Sequence, residues 1–301
     1  MKISCIIVTY NPNFLDLENL IQKIVSNNRQ IIVVDNFSDS TDRKKLKEIV
    51  NQFNCHLILL DKNYGIATAQ NKGIEVSRSY HSDFLVFFDQ DSDPSSNLIE
   101  SLIEAHTKLL QRIPATKIGI LGARYTDSRQ DNPPPFLRFE GLKMVRCPCE
   151  TKEDIVEVDY VIASGSMVSS TALDRIGTMK EELFIDYVDI EWGLRAKSKG
   201  MQNFGVCNAF MNHSLGDNPK KWGKKMIPIH SPLRHYYHFR NAILLYKLSW
   251  VPWNWKLVDG YRLLLKFVFY SIFTDRPWNH FKMMSLGIIH GIVGKSGSIN
   301  I

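Results

Sequence analysis

The amino-acid sequence predicts an α/β fold: a mostly parallel sheet flanked by helices, followed by a basic, aromatic and helical C-terminal region. Over the first 120 residues, short apolar runs rich in β-branched residues alternate with segments whose apolar residues recur at helical spacing. The runs contain few polar positions, as is typical of parallel strands covered on both faces. From Pro232 onward the pattern is helical and contains many aromatic residues.

Each element of the first half follows from its own pattern. The first run, ISCIIVT, has no charged residue and predicts a buried strand. The next segment places Leu17, Leu20, Ile21 and Ile24 on one helical face, and a second helix begins near Ser40, a good N-cap residue. The predicted strands cover residues 3–9, 31–34, 57–60, 84–88 and 118–121, and the predicted helices residues 14–27, 40–53, 66–78 and 95–111.

The second half is less regular. Residues 125–154 contain three consecutive prolines and mixed charges, which predict a long loop or a small irregular excursion. Residues 156–162 predict a short strand, and residues 190–199 a helix that ends at Gly200, a favourable residue for a helix C-terminus. We expect one domain over residues 1–217 and a helical region over residues 218–301.

The composition excludes several classes of protein. With 44% hydrophobic and 23% charged residues, the 301-residue chain is globular and not intrinsically disordered. Its five cysteines show no paired framework, and a lone Cys147-Pro148-Cys149 lacks the second half of a zinc site, so we expect free thiols in a reducing compartment. No signal peptide is recognisable, and no uninterrupted apolar run approaches the roughly 20 residues of a membrane-spanning helix. We therefore expect a cytoplasmic protein, or one that lies on a membrane surface.

The net charge of +6 conceals an uneven distribution. Residues 218–301 contain 13 Lys or Arg and two acids, a formal charge of +11, whereas residues 1–217 carry −5. Five of the six tryptophans also lie in residues 218–301. Cations beside Trp and Tyr suit an anionic membrane surface, although the same aromatics suit a core of packed helices. No nucleic-acid recognition motif is present, so we expect no nucleic-acid partner.

Polar side chains directly follow three of the predicted strands. They are Thr9-Tyr10-Asn11, Asp35-Asn36 and Asp89-Gln90-Asp91. Because ligands bind outside the carboxyl ends of parallel strands, we expect these groups to line one crevice. Neither Gly-x-Gly-x-x-Gly nor a phosphate loop ending in Gly-Lys-Ser/Thr is present, so nicotinamide cofactors and ordinary ATPase chemistry lose support.

Asp89 and Asp91 are the first candidates for chemistry. Two carboxylates two positions apart after a buried strand suit a hard divalent ion, Mg²⁺ or Mn²⁺, which would in turn hold a diphosphate. A solvated polar turn is the alternative. Asp35 suits contact with a base N–H or a ribose hydroxyl, or capping of the helix that begins near Ser40. Gly65 permits close approach of the backbone to a ligand.

Asp189 and His213 are the remaining candidates. Asp189 lies near the N-terminus of a predicted helix, where it is either a cap favoured by the helix dipole or a general base. His213 follows a short apolar segment and is either a structural histidine or a third ligand beside Asp91 and a diphosphate.

Taken in order, these motifs resemble a family-two glycosyltransferase with the Rossmann-like GT-A fold. The segments DQDS, DYVDIEW and YYHFRN are most similar to the bacterial rhamnosyltransferase branch of that family. The matching segments are IVTYN (7–11), VVDNFSD (33–39), NYGIATAQNKG (63–73), DQD (89–91), SGS (164–166), FIDYVDIEW (184–192), HSLGD (213–217) and RN (240–241).

The resemblance implies a role for each matched residue. Asp189 stands where the family has its catalytic base, but Val188 precedes it where the family has Glu, so the assisting acid is missing or replaced by Glu191. Asp91 would ligate the metal, and His213 would lie near the metal or the diphosphate. The residues implied in binding the nucleotide sugar are Thr9, Tyr10, Asn11, Asp35, Asn63, Gly65, Asn71, Asp89, Gln90, Gly165 and Ser166. The candidates for contact with the acceptor or the diphosphate are Glu191, Trp192, Arg240 and Asn241.

The activity implied is inverting, metal-dependent transfer of L-rhamnose from dTDP-L-rhamnose to a polyprenyl-diphosphate-linked saccharide in bacterial surface-polysaccharide synthesis, of O-antigen or capsule. The enzyme would work in the cytoplasm as a peripheral protein on the inner face of the cell membrane. Two alternatives stay open: a UDP-hexose donor, and a noncatalytic nucleotide-sugar-binding component of a membrane assembly. The identity of the acceptor, the linkage formed and the formation of a homo-oligomer also stay open.

Overall fold

The computed structural model describes residues 1–126, 136–212, 220–222, 225–227 and 229–299. Two short 3₁₀ turns cover Ala115–Lys117 and Glu181–Leu183. The strands are β1 Ile3–Thr9, β2 Arg29–Asp35, β3 His56–Leu59, β4 Phe84–Asp89, β5 Asp93–Pro94, β6 Ile118–Thr126, β7 Phe136–Glu140, β8 Lys143–Cys147, β9 Ile155–Val158, β10 Ser166–Ser169, β11 Gln202–Asn212, β12 Lys220–Trp222 and β13 Lys225–Ile227. The helices are α1 Phe14–Ile24, α2 Ser40–Gln52, α3 Ile66–Ser79, α4 Leu98–Leu110, α5 Ser170–Ile176, α6 Val188–Ser198, α7 Pro232–Tyr246, α8 Trp253–Phe273 and α9 Pro277–Val293.

The central sheet is mixed and mostly parallel, which confirms the predicted fold class. In the described chain its strands run in the order β3-β2-β1-β4-β10-β6-β11-β5, with β9 also paired to β11. The pairs β3/β2, β2/β1, β1/β4 and β6/β11 are parallel, whereas β10 is antiparallel to both β4 and β6. The patterns of the first half predicted β1 to β4, β6 and α1 to α4 correctly, with small differences at their ends.

Strand β10 was not predicted from the sequence. It inserts between β4 and β6, although residues 163–169 showed no strand pattern in the sequence. The segment SMVS is short and has serine at both ends, and only Met167 and Val168 add apolar character. Its position comes from pairing with its neighbours, Ser166 opposite Phe87 and Gly122, and not from its own sequence.

Residues 125–154 contain more regular structure than predicted. Strand β6 continues to Thr126, and β7 and β8 form an antiparallel hairpin in which Phe136 pairs with Cys147 and Glu140 with Lys143. The three consecutive prolines of this stretch lie outside the described residues. The expectation of an irregular excursion was therefore wrong for β7 and β8, because two short, half-buried strands lack the apolar run used to recognise the others.

Two cysteines also depart from the prediction. Cys149 and Cys207 form a disulfide, with Cα atoms 5.7 Å apart and a sequence separation of 58. The Cys207 N–H donates to the Asp154 carbonyl at 3.0 Å, which holds β11 beside the chain that follows the β7–β8 hairpin. Spacing along the sequence could not reveal this pair, because tertiary pairing of β9 with β11 produces it. Cys5, Cys55 and Cys147 are free thiols, as expected.

Alternation along the strands divides the interior into two layers. On β1, Cys5 and Ile7 face α1, α2 and α4, whereas Ile6 and Val8 face the opposite layer. That second layer is continuous from α3 and α6 to α7, α8 and α9, and it includes Trp255 of α8. The C-terminal helices therefore pack onto the same face of the sheet as α6. None of the described helices is both long and apolar enough to cross a membrane.

Candidate active site

The predicted crevice forms at the carboxyl ends of the central strands. The register places Thr9 opposite Asp35 and Val8 opposite Asp89, so the polar residues that follow β1, β2 and β4 meet at one edge. A cavity of about 880 Å³ opens there. The predicted residues that line it are Thr9, Tyr10, Asn63, Gly65, Asp89, Gln90, Asp91 and Asp189. Asn36, which was also expected at this crevice, lines the cavity as well. The residues that line it and were not predicted include Gln70, Ser164, Asp186, Tyr187, His230, Arg234 and His238.

Asp35 is fully buried at the base of this edge and is held by four hydrogen bonds. It accepts from Thr9 Oγ1 at 3.2 Å, from the Ser38 N–H at 3.1 Å and from the Ser38 hydroxyl. Arg43 adds an ion pair at 3.1 Å. Asn11 lies in the same turn, where its N–H donates to Ser38 Oγ and its side chain accepts from the Asp39 N–H at 2.9 Å. These contacts make the turn after β2 rigid, and neither Asp35 nor Asn11 lines the cavity.

A chain of amides connects β2 to the start of α3. Asn36 Nδ2 donates to Asn63 Oδ1 at 2.9 Å, and Asn63 Oδ1 also accepts from the Gly65 N–H at 3.0 Å. Gly65 has a φ of +87°, and a Cβ atom there would lie 2.4 Å from the Phe184 carbonyl oxygen. Gly65 is therefore required by two constraints, its backbone conformation and the close approach of the Phe184 segment.

The Asp89-Gln90-Asp91 turn is attached to the end of β1 by Gln90. Gln90 accepts from the Tyr10 N–H at 2.7 Å and donates to the Tyr10 carbonyl at 3.3 Å. The Asp89 N–H donates to Ser164 Oγ at 3.2 Å, which joins this turn to the segment before β10. The side chain of Asp91 is exposed at the cavity. The two carboxylates are thus held at the cavity wall by backbone contacts of their turn.

Asp93, two residues further on, is used structurally. It accepts from Asn212 Nδ2 at 2.9 Å and forms an ion pair with Lys23. The hydrogen bond from Asn212, together with Lys23, lowers the pKa of Asp93. This carboxylate ties β5 to β11 and to α1.

The donor set at the cavity wall fits a divalent cation. Mg²⁺ is commonly bound by one or two carboxylates together with substrate phosphate oxygens, and Asp89 and Asp91 supply two carboxylates on one turn. Among the described residues, no group of three or more His, Cys, Asp or Glu side chains forms a complete metal cage. His213, the predicted additional ligand, lies outside the described residues.

Asp189 lines the same cavity and lies in the first turn of α6. It follows a turn in which Phe184, Asp186 and Tyr187 all have positive φ, a conformation that non-glycine residues rarely adopt. Burial raises the pKa of Asp189 to about 6, although a hydrogen bond from the Ile190 N–H at 2.9 Å partly opposes the effect. A carboxylate with a pKa just below neutrality suits proton transfer at neutral pH.

The strained turn is held by two buried residues of α7. Asn241 Nδ2 donates to the carbonyls of Leu183, Ile185 and Asp186 at 2.7 to 2.9 Å. Arg240 Nε donates to Asn241 Oδ1 at 2.9 Å and so orients that amide. Both were predicted to contact the acceptor or the diphosphate. Neither lines the cavity, and their contacts position the segment that leads to Asp189.

Glu191 and Trp192 point away from the cavity into the packing of α6. Glu191 is fully buried and forms two hydrogen bonds of 2.9 Å with Arg195, within an ion pair. Trp192 Nε1 donates to the Gly177 carbonyl at 3.0 Å. These two side chains fix the orientation of the helix that begins beside Asp189.

Three further predicted residues support the wall without lining it. Asn71 pairs with the backbone of Met179, accepting from its N–H at 2.9 Å and donating to its carbonyl at 3.0 Å. The Gly165 N–H donates to the Phe87 carbonyl at 2.8 Å. Ser166 is fully buried and donates to the Ala163 carbonyl at 2.6 Å.

Helix α7 supplies a wall that the sequence reasoning missed. Arg234 Nε pairs with Asp186 Oδ1 at 3.3 Å, while the second oxygen of Asp186 is buried and has no hydrogen-bond partner among the described residues. His238 lies 2.9 Å from Lys266 Nζ, and burial holds the pKa of His238 well below its usual range, so it is neutral. The sequence could have indicated this wall, because His230, Arg234 and His238 are spaced four residues apart around the start of one helix, which places them on the same side.

The chain is similar in sequence to known glycosyl transferases. Residues 4–147 match the family model described as Glycosyl transferase family 2. The chain is 36% identical over 253 residues to the dTDP-rhamnosyl transferase RfbF of Shigella flexneri, covering 83% of this chain and 82% of that protein. It is 25% identical over 206 residues to the low-salt glycan biosynthesis hexosyltransferase Agl10 of Haloferax volcanii, covering 68% and 64% of the two chains.

Solved structures with the same fold include more distant proteins. The structure of GalNAc-T7 with UDP, GalNAc and Mn²⁺ matches with a TM-score of 0.62 at 13% identity, covering 97% of this chain and 56% of that one. The structure of S. aureus TarS 1-349 in complex with UDP-GlcNAc matches with a TM-score of 0.57 at 14% identity, covering 97% and 82%. At this identity the likeness concerns the fold, and it confirms the expected GT-A architecture.

Proposed function

The chain belongs to glycosyl transferase family 2, and from this premise we propose that it transfers L-rhamnose from dTDP-L-rhamnose to a saccharide acceptor. One observation carries the proposal: a single cavity is lined by both the Asp89-Gln90-Asp91 turn and Asp189. The turn supplies carboxylates for a metal-bound diphosphate, and Asp189 supplies a carboxylate with a raised pKa. An enzyme that splits a sugar–diphosphate bond with an incoming hydroxyl needs both.

The choice of donor rests on the relatives. RfbF, at 36% identity over most of both chains, is named a dTDP-rhamnosyl transferase, which supports rhamnose carried on a deoxythymidine diphosphate. Agl10, at 25% identity, is named a hexosyltransferase, which keeps a nucleotide hexose as the second candidate. Among the cavity residues, Thr9, Tyr10, Asn63 and Gly65 would contact the nucleotide part of either donor.

The reaction we propose is a single inverting displacement. An acceptor hydroxyl oxygen attacks the anomeric carbon, the bond from that carbon to the diphosphate oxygen breaks, and the hydroxyl proton passes to a carboxylate oxygen of Asp189. The pKa of about 6 leaves Asp189 mostly ionised at neutral pH, yet basic enough to accept the proton. Asn241 keeps Asp189 in place by holding the turn before it.

A divalent ion, Mg²⁺ or Mn²⁺, would be held by Asp91 with Asp89 beside it. When bound, such an ion neutralises negative charge on the departing nucleoside diphosphate. Gln90 contributes by fixing the turn to the backbone of Tyr10, so the two carboxylates stay at the end of β4 and β1.

The acceptor we propose is a saccharide linked to a polyprenyl diphosphate, used in bacterial surface-polysaccharide synthesis, O-antigen or capsule. Arg234 supports an anionic acceptor, because its guanidinium, which pairs with Asp186, lines the same cavity as the donor turn. The +11 charge of residues 218–301 supports a peripheral location on the anionic inner face of the cell membrane. The enzyme would therefore meet its lipid-linked acceptor where that acceptor resides.

A donor panel tests the proposal. Purified protein is incubated with dTDP-L-rhamnose, UDP-glucose, UDP-galactose or UDP-GlcNAc, with Mg²⁺, Mn²⁺ or a chelator, and release of the nucleoside diphosphate is measured with and without a lipid-linked saccharide. We expect the highest turnover with dTDP-L-rhamnose and its loss in chelator. Higher turnover with a UDP-hexose than with dTDP-L-rhamnose would show that the donor is a UDP-hexose. Binding of a nucleotide sugar without turnover, under every condition, would instead indicate a noncatalytic binding protein.

The role of Asp91 as a metal ligand can be tested with a single substitution. Asp91→Ala should weaken nucleotide binding in the presence of Mg²⁺ or Mn²⁺ and leave metal-free binding unchanged, as measured by calorimetry. The matched control is Asp16→Ala, which removes an exposed carboxylate of α1 on another part of the surface. Unchanged metal dependence in Asp91→Ala would reject Asp91 as a ligand.

A further inference from the structure

Helix α8 has an exposed face that no other described part of the chain covers. Trp253 is 67% exposed and Leu264 is 61% exposed, values normal for lysine and unusual for large apolar side chains. The apolar side chains that share this exposure are Trp253, Leu257, Tyr261, Leu264, Leu265, Val268 and Ile272. We call these seven residues the α8 face.

The spacing of the α8 face places it on one side of the helix. At about 100° per residue, the seven positions fall within an arc of about 120°. The buried residues Trp255, Leu263 and Tyr270 lie on the other side, against the protein. An apolar arc this wide exceeds the narrow seam of a two-helix coiled coil and is typical of a helix that buries one side in an extended apolar medium.

Helix α9 repeats the arrangement and packs beside α8. Phe281 of α9 meets Phe267 of α8 with ring centroids 5.5 Å apart. Trp278 and Phe281 are stacked at 5.3 Å, and Lys282 lies over the Trp278 ring at 5.4 Å. The exposed apolar residues of α9, which we call the α9 face, are Trp278, Phe281, Ile289, Ile292 and Val293.

We propose that the α8 face and the α9 face bind an anionic lipid bilayer, with both helices lying along its surface. The proposal deepens the peripheral location given above and rests on it, since it names the surface responsible. Charge decides between a bilayer and a second copy of the chain. Residues 218–301 carry a formal +11, so two copies meeting through these helices would oppose like charges, whereas anionic headgroups complement them.

The aromatic and basic residues of this surface suit the headgroup region. Trp253 begins α8 and Trp278 is the second residue of α9, so each helix presents an indole at its start. Arg262, Arg276 and Lys282 are exposed on or beside the two helices. Tryptophan rings and long cationic side chains both favour the boundary between lipid tails and headgroups.

The opposite side of α8 reaches the catalytic cavity. Lys266 contacts His238, which lines the cavity, and Asp259 accepts a hydrogen bond of 2.9 Å from Tyr187, which lines it too. A helix is about 10 Å across with its side chains. A bilayer bound on the α8 face would therefore lie about one helix diameter from the cavity wall, within reach of an acceptor whose lipid stays in the membrane.

The test compares vesicle binding of three proteins. Wild type, the double variant Leu264→Glu/Val268→Glu, and the control Leu15→Glu are co-sedimented with vesicles of phosphatidylcholine alone or with added phosphatidylglycerol, at low and high salt. Leu15 is a matched control because it is an exposed leucine, 71% exposed, on α1. Thermal unfolding and circular dichroism establish that each variant is folded.

We expect wild type and Leu15→Glu to bind the phosphatidylglycerol vesicles at low salt, with binding weakened by salt. The double variant should bind at least about tenfold more weakly, since two exposed apolar side chains that would enter the bilayer become charged. Absence of wild-type binding at low salt, or equal binding by the folded double variant, would overturn the proposal. So would light scattering that finds a wild-type dimer and a monomeric double variant with unchanged vesicle binding, because the face would then join two copies.

Failure of this inference can be told apart from failure of the proposed function. Metal-dependent release of nucleoside diphosphate from dTDP-L-rhamnose is measured without vesicles, where the double variant should match wild type. Vesicle binding without any donor turnover would reject the enzymatic proposal and retain the membrane surface. Donor turnover without vesicle binding would reject the membrane surface and retain the enzymatic proposal.

Discussion

Replacing Asp189 by Asn should stabilise the protein while it abolishes most turnover. Burial raises the pKa of Asp189 from 3.8 to about 6, so folding disfavours its ionised form. A pKa change of this size corresponds to at most about 3 kcal/mol at neutral pH. The side chain lies at the cavity wall and is only partly buried, so solvent screening reduces that figure. We expect Asp189→Asn to increase the free energy of unfolding by about 1–2 kcal/mol at about pH 7.5.

The sign of the effect predicts its pH dependence. A group whose pKa is raised by folding contributes its stabilisation fully below its unfolded pKa and loses it as the pH rises through the folded value. The advantage of Asn over Asp should therefore be largest above about pH 6 and should decline toward zero near pH 4. Urea unfolding of the metal-free protein, followed by circular dichroism across this range, measures it. The exposed Asp174, changed to Asn, is the control, with an expected effect below about 0.5 kcal/mol.

Turnover should change in the opposite direction. Asn cannot accept the proton of the acceptor hydroxyl, so kcat should fall by at least about 10²-fold while donor binding is retained. In wild type, kcat/KM should fall as the pH drops below about 6, because Asp189 becomes protonated. Lower stability of Asp189→Asn at neutral pH, or equal stabilisation at pH 4.5 and pH 8, would contradict a cost of burying the ionised carboxylate. Near-normal turnover would remove Asp189 from the role of base.

Three other changes have expected outcomes. Asn241→Ala removes the side-chain donor to the Ile185 and Asp186 carbonyls and one of two side-chain donors to the Leu183 carbonyl, which Arg240 also contacts. The free energy of unfolding should therefore fall by about 2–4 kcal/mol, and kcat should fall more than the donor KM rises; unchanged stability would contradict the positioning role. The Cys149→Ser/Cys207→Ser double variant removes a cross-link with a sequence separation of 58, so its free energy of unfolding in denaturant should fall by about 2–4 kcal/mol. Cys147→Ser, at a free thiol, should lose little stability, and equal losses in the two variants would contradict the pairing. Gly65→Ala places a Cβ atom against the Phe184 carbonyl oxygen at a residue with positive φ, so the free energy of unfolding, measured by thermal unfolding, should fall by about 2 kcal/mol or more and nucleotide binding should weaken. Wild-type stability and wild-type binding in this variant would show that the turn can shift to accommodate the side chain.

The order of strands and helices in the first half was predictable because each element depends on local pattern. Ile3–Thr9 and Phe84–Asp89 are apolar at nearly every position, and such runs have few structures available besides a buried parallel strand. Once those strands were recognised, the crevice followed, since parallel strands end at one edge. The structure places Thr9, Asp89 and Asp91 on that crevice.

Asp189 was recognised from sequence as an acid beside a helix N-terminus, but the sequence left open whether it capped the helix or acted as a base. The structure brings it to the cavity that Asp91 also lines and buries it enough to raise its pKa. Burial depends on the packing of α7 and on the turn held by Asn241, neither of which can be deduced from residues 186–192 alone. The position of Asp189 at the cavity wall and its raised pKa are therefore determined by the tertiary structure.

By itself the sequence determined the alternating core strands, the polar residues at their carboxyl ends and the excess of cations in the last 84 residues, because these depend on residue type and spacing. Tertiary structure alone decided the insertion of β10, the Cys149–Cys207 pair, the wall formed by Arg234 and His238, and which apolar side chains of α8 remain outside. Each of these joins segments far apart in the chain, or depends on which side of a helix another segment covers. Local sequence patterns do not specify such pairings, because the free energy that selects them comes from packing between residues that are distant in the sequence.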